Sequence, residues 1–348
     1  MTKLKNITAF MLLLSLFASE LFSCTRVLYE GPNKTVLTGR SMDFSIDIPA
    51  NMWIFPRGME RVGEVGKSSL KWQSRYGSVL TSSWDIASPD GINEKGLVAN
   101  LLWLVESKYP KFDPNGSKKG ISISMWAQYA LDNFATVTEA VDVLKKEEFV
   151  VVSSFIPGTD KFTTVHLSLS DAKGDSAIFE YIDGKLVIYH NSAYKVMTND
   201  PAYKNQLAIN NYYKAIGGDK FLPGTNKPSD RFVRASYYVN AIPQTDNSSL
   251  AVATLMSLIR NVSVPYGIST PNAPHISSTR WRVVADQKNL LYYFENVLTP
   301  NMFWVDLKKI DFSQNRSVKK LSLDKNQNYT GEANAAFKDA AAFEFKGL

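Results

Sequence analysis

The chain of 348 residues contains one cysteine, Cys24, and three histidines, His166, His190 and His275. A lone thiol makes no intrachain disulfide and has no sulfur companion for a metal site. No two histidines have metal-ligand spacing, and none sits in surroundings like those of a cysteine–histidine couple. Each reads as a strand or surface residue. No phosphate loop is present, because Gly217-Gly218 and Gly224-Thr225-Asn226 lack the Lys-Ser/Thr continuation. Nucleophilic chemistry at Cys24 therefore calls for a base other than a neighbouring imidazole.

The position of Cys24 supplies one. Met1-Thr2-Lys3-Leu4-Lys5 precedes an apolar run from Ile7 to about Phe17, the basic-then-apolar pattern of a secretory signal. The run is shorter than the about 20 apolar residues that span a bilayer. A signal peptide over 1–23 and a mature domain over 24–348 are expected, although Leu21 is large for the −3 position of a cleavage site. Cleavage after Ser23 gives Cys24 a free α-amine, which titrates at about 8 and is partly neutral at physiological pH. That amine can serve as general base for the thiol of the same residue. The expected location is outside the cytoplasm, periplasmic or secreted. A reading of another class takes Leu21-Phe22-Ser23-Cys24 as a partial lipobox. Lipidation would then block thiol and amine alike and leave a non-catalytic lipoprotein.

Composition narrows the partners. The formal net charge is +6, with the basic residues spread along the chain. Such spacing argues against nucleic acid, while a mild positive field suits a small anionic substrate. No later stretch is apolar enough for a membrane helix, so no stable membrane insertion is expected.

The elements that would hold Cys24 come in groups. Strands are expected at 25–29 and 35–38 around the turn 30–33, then at 53–56, 78–81 and 97–105, with a turn over 90–96. Helices follow at 122–134 and, behind the capping box Thr136-Val137-Thr138-Glu139, at 140–146. Strands return at 164–169, 177–181 and 186–189, the last two joined by Asp183-Gly184. Helices at 230–240 and 250–261 precede strands at 280–285, 290–295 and 303–306. Grouped strands and grouped helices predict stacked sheets under helical layers in one domain, not alternating βαβ units.

Several motifs carry a family resemblance. Cys24-Thr25-Arg26 and Gly39-Arg40-Ser41-Met42-Asp43-Phe44 are followed by Asp90-Gly91-Ile92-Asn93-Glu94-Lys95-Gly96-Leu97 and Met197-Thr198-Asn199-Asp200-Pro201. Leu222-Pro223-Gly224 and Ser229-Asp230-Arg231-Phe232-Val233-Arg234 complete the series. In this order the chain resembles the choloylglycine hydrolase and penicillin V acylase family of N-terminal-nucleophile hydrolases. The resemblance implies an α+β, four-layer αββα fold. It implies Cys24 as nucleophile, Arg40 beside the thiol, Asp43 orienting the α-amine, Asn199 as oxyanion donor and Arg231 completing the charge network. It implies no metal and no organic cofactor, and a homotetramer. The residues alone also allow an Arg40–Asp43 structural pair, a turn role for Asn199 and a solvated helix face for Arg231.

Two features depart from the family. Trp103 stands where many relatives place Asn or Tyr, and the stretch from Asn199 to Arg231 is short. The latter resembles the family's branch in Gram-negative bacteria. The expected reaction is hydrolysis of a secondary amide, with glycine- or taurine-conjugated bile salts as the first substrate class. Penicillin V or N-acyl homoserine lactones are the alternative. Met42 and Trp103 are candidate substrate-binding residues, with ordinary core packing as the other reading.

Overall fold

The computed structural model describes residues 23–269, 277–299, 301–324 and 328–348. The expected signal up to residue 22, and His275, lie outside the described residues.

In chain order the first strands are β1 (Thr25–Gly31), β2 (Thr35–Phe44), β3 (Asn51–Phe55), β4 (Glu60–Val62), β5 (Lys71–Gln73), β6 (Ser78–Ser83), β7 (Ala87–Asn93), β8 (Val98–Trp103) and β9 (Lys119–Ser122). Helices α1 (Trp126–Asn133) and α2 (Val137–Leu144) lead to β10 (Phe149–Val152), β11 (Val165–Ser170), β12 (Ser176–Ile182), β13 (Lys185–His190) and β14 (Val196–Met197). Three helices follow, α3 (Tyr203–Ala215), α4 (Pro228–Ala241) and α5 (Ser248–Asn261). The chain closes with β15 (Ser278–Asp286), β16 (Leu291–Asn296), β17 (Met302–Asp306), β18 (Lys319–Ser322), β19 (Gly331–Glu332) and β20 (Lys338–Asp339).

Two sheets face each other. One runs β14-β1-β2-β15-β16-β17-β19, the other β13-β12-β11-β8-β7-β6-β3-β18-β20. Helices α4 and α5 cover the first through Phe232, Ala235, Leu255 and Ile259. Helix α1 covers the second through Ala127, Ala130 and Leu131, joined by Val137 and Ala140 of α2. Trp281, Val283 and Phe294 meet Met52, Ile54, Val79 and Ile92 in the core between the sheets. The expected αββα layering is therefore the observed one. Glycines let the helical layers approach: a Cβ on Gly39 would lie 2.8 Å from Ile259 of α5, and one on Gly91 would lie 2.8 Å from Leu131 of α1.

Most expected elements form at the expected places. The turn at Asp183-Gly184 takes positive φ at both residues, 49° and 76°, as a type I′ hairpin requires. Thr136 caps α2 by accepting from the Glu139 N–H. One expectation differs, and one helix was not expected. Asp90, Gly91, Ile92 and Asn93 belong to strand β7, and only the following residues turn. Helix α3 carried no apolar signal, because the residues it buries are Tyr203, Gln206 and Asn210. Among the described residues, no helix is long and apolar enough to cross a membrane.

Candidate active site

Cys24 immediately precedes β1, between two antiparallel partners. On one side β2 pairs Thr25 with Ser41 and Arg26 with Arg40. On the other, β14 pairs Met197 with Arg26, and the chain beyond it carries Asn199. Side chains alternate along β2, so Arg40 and Met42 share the face that meets the second sheet. Cys24 points the same way: its Sγ lies 3.8 Å from Met42 Sδ and 3.8 Å from Arg40 Nη2. Cys24 is only 4% exposed.

Arg40 is fully buried and bridges the sheets. Nη1 donates to Asp90 Oδ2 at 2.9 Å, and Nη2 donates to the Leu101 carbonyl at 3.2 Å. Asp90 also accepts from Tyr292 Oη at 2.8 Å. An unpaired cation here would cost several kcal/mol, so Asp90 is what makes a buried arginine tolerable beside the thiol. The ion pair joins Arg40 to Asp90, not to Asp43. Burial pushes the Cys24 thiol up from its ordinary value, against the pull of the Arg40 cation.

Asp43 lies on the opposite face of β2, with Thr25 and Ser41. Ser41 Oγ donates to its Oδ2 at 3.2 Å, while its buried Oδ1 has no hydrogen-bond partner among the described residues. Burial raises the Asp43 carboxyl to about 6, although Arg231, Thr279 and Ser41 draw it down. Arg231 rises from α4 and is fully buried, not on a solvated face. Its Nη1 donates to the Cys24 carbonyl at 2.7 Å and to Thr25 Oγ1 at 2.5 Å, and Nε donates to the Asn226 carbonyl at 3.0 Å. Burial lowers its guanidinium to about 10, which leaves it a cation at neutral pH.

The same arginine orients Asn199. Arg231 Nη2 donates to Asn199 Oδ1 at 3.0 Å, and Asn199 Nδ2 donates to the Trp103 carbonyl at 3.0 Å. A guanidinium only donates and a carbonyl only accepts, so these two partners fix which end of the amide is NH₂. One N–H of that group is used by Trp103, and the other has no partner among the described residues. Asn199 is thus a buried, doubly held side chain and not a plain turn residue.

Above Cys24 opens a cavity of about 810 Å³, mouth included. Met42, Phe44, Ile48, Trp84, Trp103 and Phe155 give it apolar walls, and Asp43 and Cys24 lie at its lining. Both expected pocket residues, Met42 and Trp103, are therefore there. Sequence reasoning missed Asp90, which sits inside a motif read as a turn. It also missed Phe44, Trp84 and Phe155, which come from separate segments with no shared spacing. A buried thiol beside the Arg40 cation at the lining of an apolar cavity, with Arg231 linking the Cys24 carbonyl to the oriented Asn199 amide, has the parts for attack on a carbonyl.

Comparison with known proteins accords with this arrangement. Residues 24–327 match the family of linear amide C–N hydrolases, choloylglycine hydrolase family. A penicillin V acylase of Pectobacterium atrosepticum is 49% identical, over 96% of this chain and 95% of its own. A bile salt hydrolase/transferase of Clostridium perfringens is 26% identical, over 84% and 94%. Among solved structures, penicillin V acylase from Agrobacterium tumefaciens superposes with a TM-score of 0.87 at 56% identity, covering 93% of this chain and all of the other. A mutant conjugated bile acid hydrolase from Clostridium perfringens has the same fold, with a TM-score of 0.72 at 22% identity and coverage of 88% and 98%. The chain therefore belongs to the choloylglycine hydrolase family of linear amide C–N hydrolases.

Proposed function

We propose that this protein is an exported acylase that hydrolyses secondary amides of compact apolar acids, penicillin V among them. Cys24 is its N-terminal nucleophile. The observation that carries the reading is the placement of Cys24 Sγ 3.8 Å from Arg40 Nη2 at the lining of a cavity walled by Phe44, Trp84, Trp103 and Phe155. Flat aromatic walls suit an aryl-bearing acyl group. The 49% and 56% identities to penicillin V acylases support the same choice.

In this mechanism, signal removal after Ser23 frees the α-amine of Cys24. The amine takes the thiol proton, and the thiolate attacks the amide carbonyl. Arg40 favours the thiolate. The free N–H of Asn199 receives the developing oxyanion. Asp43 Oδ1, which has no partner among the described residues, accepts a hydrogen bond from the α-ammonium. The ammonium gives its proton to the leaving amine as the C–N bond breaks. Water then attacks the thioester with the same amine as base, and the acid departs.

Conjugated bile salts are the second substrate class, favoured by the 26% identity to a bile salt hydrolase/transferase over most of both chains. A homotetramer fits the exposed Tyr212, Ile216 and Phe221, which lie in and just after α3. The deciding experiment measures kcat/KM on penicillin V, a long-chain N-acyl homoserine lactone, glycocholate and taurocholate side by side. Highest turnover of penicillin V supports the proposal. A preference for either bile salt by at least about tenfold, or about 1.4 kcal/mol of transition-state binding, replaces it with the second class.

A further inference from the structure

Behind Asn199 lies a buried polar cluster that the mechanism above does not use. His166 of β11 and Glu180 of β12 are both fully buried. His166 Nδ1 lies 2.9 Å from Glu180 Oε1, and Nε2 lies 2.8 Å from the Thr198 carbonyl. That carbonyl can only accept, so Nε2 carries a hydrogen. One further proton lies between Nδ1 and Oε1. Glu180 also accepts the Tyr203 N–H, at 2.9 Å to Oε1 and 3.1 Å to Oε2, and so caps the first turn of α3.

Helix α3 returns the grip. Gln206 Nε2 donates to the carbonyls of Asn199 and Pro201, both at 2.7 Å. Its Oε1 accepts from Thr198 N and Oγ1, both at 3.2 Å. The backbone from Thr198 to Pro201 is thereby held from β11 by His166 and from α3 by Gln206. Glu180 ties the two holders to each other. From this clamp the Asn199 side chain reaches toward Arg231 and Trp103, while Thr198 Oγ1 donates to the Pro228 carbonyl at 3.0 Å and Asp200 Oδ1 accepts from the Val105 N–H at 2.7 Å.

From this geometry we infer that His166 and Glu180 are positioning residues of the amidase reaction. They set the backbone on which Asn199 presents its amide N–H to the oxyanion. The inference rests on the reading of Asn199 as oxyanion donor. The pair touches neither substrate nor thiol. Its effect reaches the chemistry through Asn199, because a donor displaced by about 1 Å loses much of its transition-state contact. A buried network of this kind holds its geometry only when every member is satisfied.

The test uses cleaved enzyme with penicillin V as probe and measures kcat and KM for His166→Leu, His166→Gln and Glu180→Gln, each alone and with Asn199→Ala. His166→Leu removes the donor to Thr198 and should lower kcat at least about tenfold with KM held within about twofold. His166→Gln can still donate to the Thr198 carbonyl and should recover most of the rate. Glu180→Gln can donate to Nδ1 and accept from Tyr203, so it should keep kcat within about threefold. In the Asn199→Ala background the His166 changes should cost almost nothing further, because the residue they act through is gone. Equal fractional losses in both backgrounds, a loss in KM alone, or no rescue by Gln would overturn the inference. Where His166→Leu fails to fold, by its melting curve, the Gln variants in the two backgrounds decide. If Asn199→Ala itself keeps the wild-type rate, the oxyanion reading fails first and this inference falls with it.

Discussion

The arginine beside the thiol yields the most demanding prediction. Arg40 has two tasks that one substitution confounds: it neutralises buried Asp90 at 2.9 Å and faces Cys24 Sγ at 3.8 Å. Arg40→Met ends both. Stranding Asp90 as an uncompensated buried charge should cost about 3–5 kcal/mol of stability. The loss at the thiol follows from Coulomb's law. With an effective dielectric of about 20, a cation at that distance stabilises the thiolate by about 4 kcal/mol, on the order of 10³ in the thiolate-to-thiol ratio. The double variant Arg40→Met/Asp90→Asn separates the tasks. It should recover most of the melting temperature, since no charge is stranded, yet keep the thiol hard to ionise. The assay is the pH dependence of Cys24 alkylation by iodoacetamide, read beside thermal melts and kcat/KM. Alkylation of both variants should require markedly higher pH than the wild type. An unchanged alkylation profile in the double variant would refute the assignment of Arg40 to the thiolate and leave it a structural partner of Asp90.

Other consequences are more direct. Asn199→Ala should lower kcat by about 10²–10³ with little change in KM, measured by steady-state hydrolysis. One extra residue before Cys24 should abolish turnover while the thiol remains titratable, because the α-nitrogen becomes an amide; full activity from a uniformly extended N-terminus would return the base to another group. The Asp43 carboxyl sits near 6 in the chain that carries Ser23, above its ordinary value, so that chain binds a proton more readily when folded. The stabilising effect of that proton is full at low pH and is lost as pH rises through about 6. In the uncleaved protein Asp43→Asn should therefore be more stable than wild type at pH of about 8, by at most about 3 kcal/mol, and equal to it below about pH 4. In the cleaved enzyme the same change should slow turnover and shift the acid limb of kcat/KM; equal rates and equal profiles would make Asp43 a bystander.

The sequence carried the first hairpin plainly, because turn residues separate two β-rich runs there. With it came the grouping of Cys24, Arg40 and Met42, since alternation along β2 puts the last two on one face. Asn199 and Arg231 were legible through motif order, and the fold brings them within one hydrogen bond of each other. Asp90 was hidden. Asp-Gly-Ile-Asn reads locally as a turn, but long-range partners override that preference: Arg40 and Tyr292 satisfy the carboxylate, and Gly91 has no Cβ to strike Leu131. Helix α3 was hidden for a related reason, since it docks through Gln206 and its capped N-terminus and not through an apolar stripe. The cavity could not be read at all, because Phe44, Trp84, Trp103 and Phe155 converge only once two sheets and a loop are assembled.

The claim that Cys24 is an N-terminal nucleophile is tested most directly by mass spectrometry of the N-terminal peptide, taken from a turnover reaction quenched in acid. The expected peptide begins Cys24-Thr25-Arg26 with a free amine, and a fraction of it carries the phenoxyacetyl group of penicillin V on the Cys24 sulfur. An acyl group on any other residue, a diacylglycerol adduct on Cys24, or an intact Ser23 in fully active protein would contradict the account.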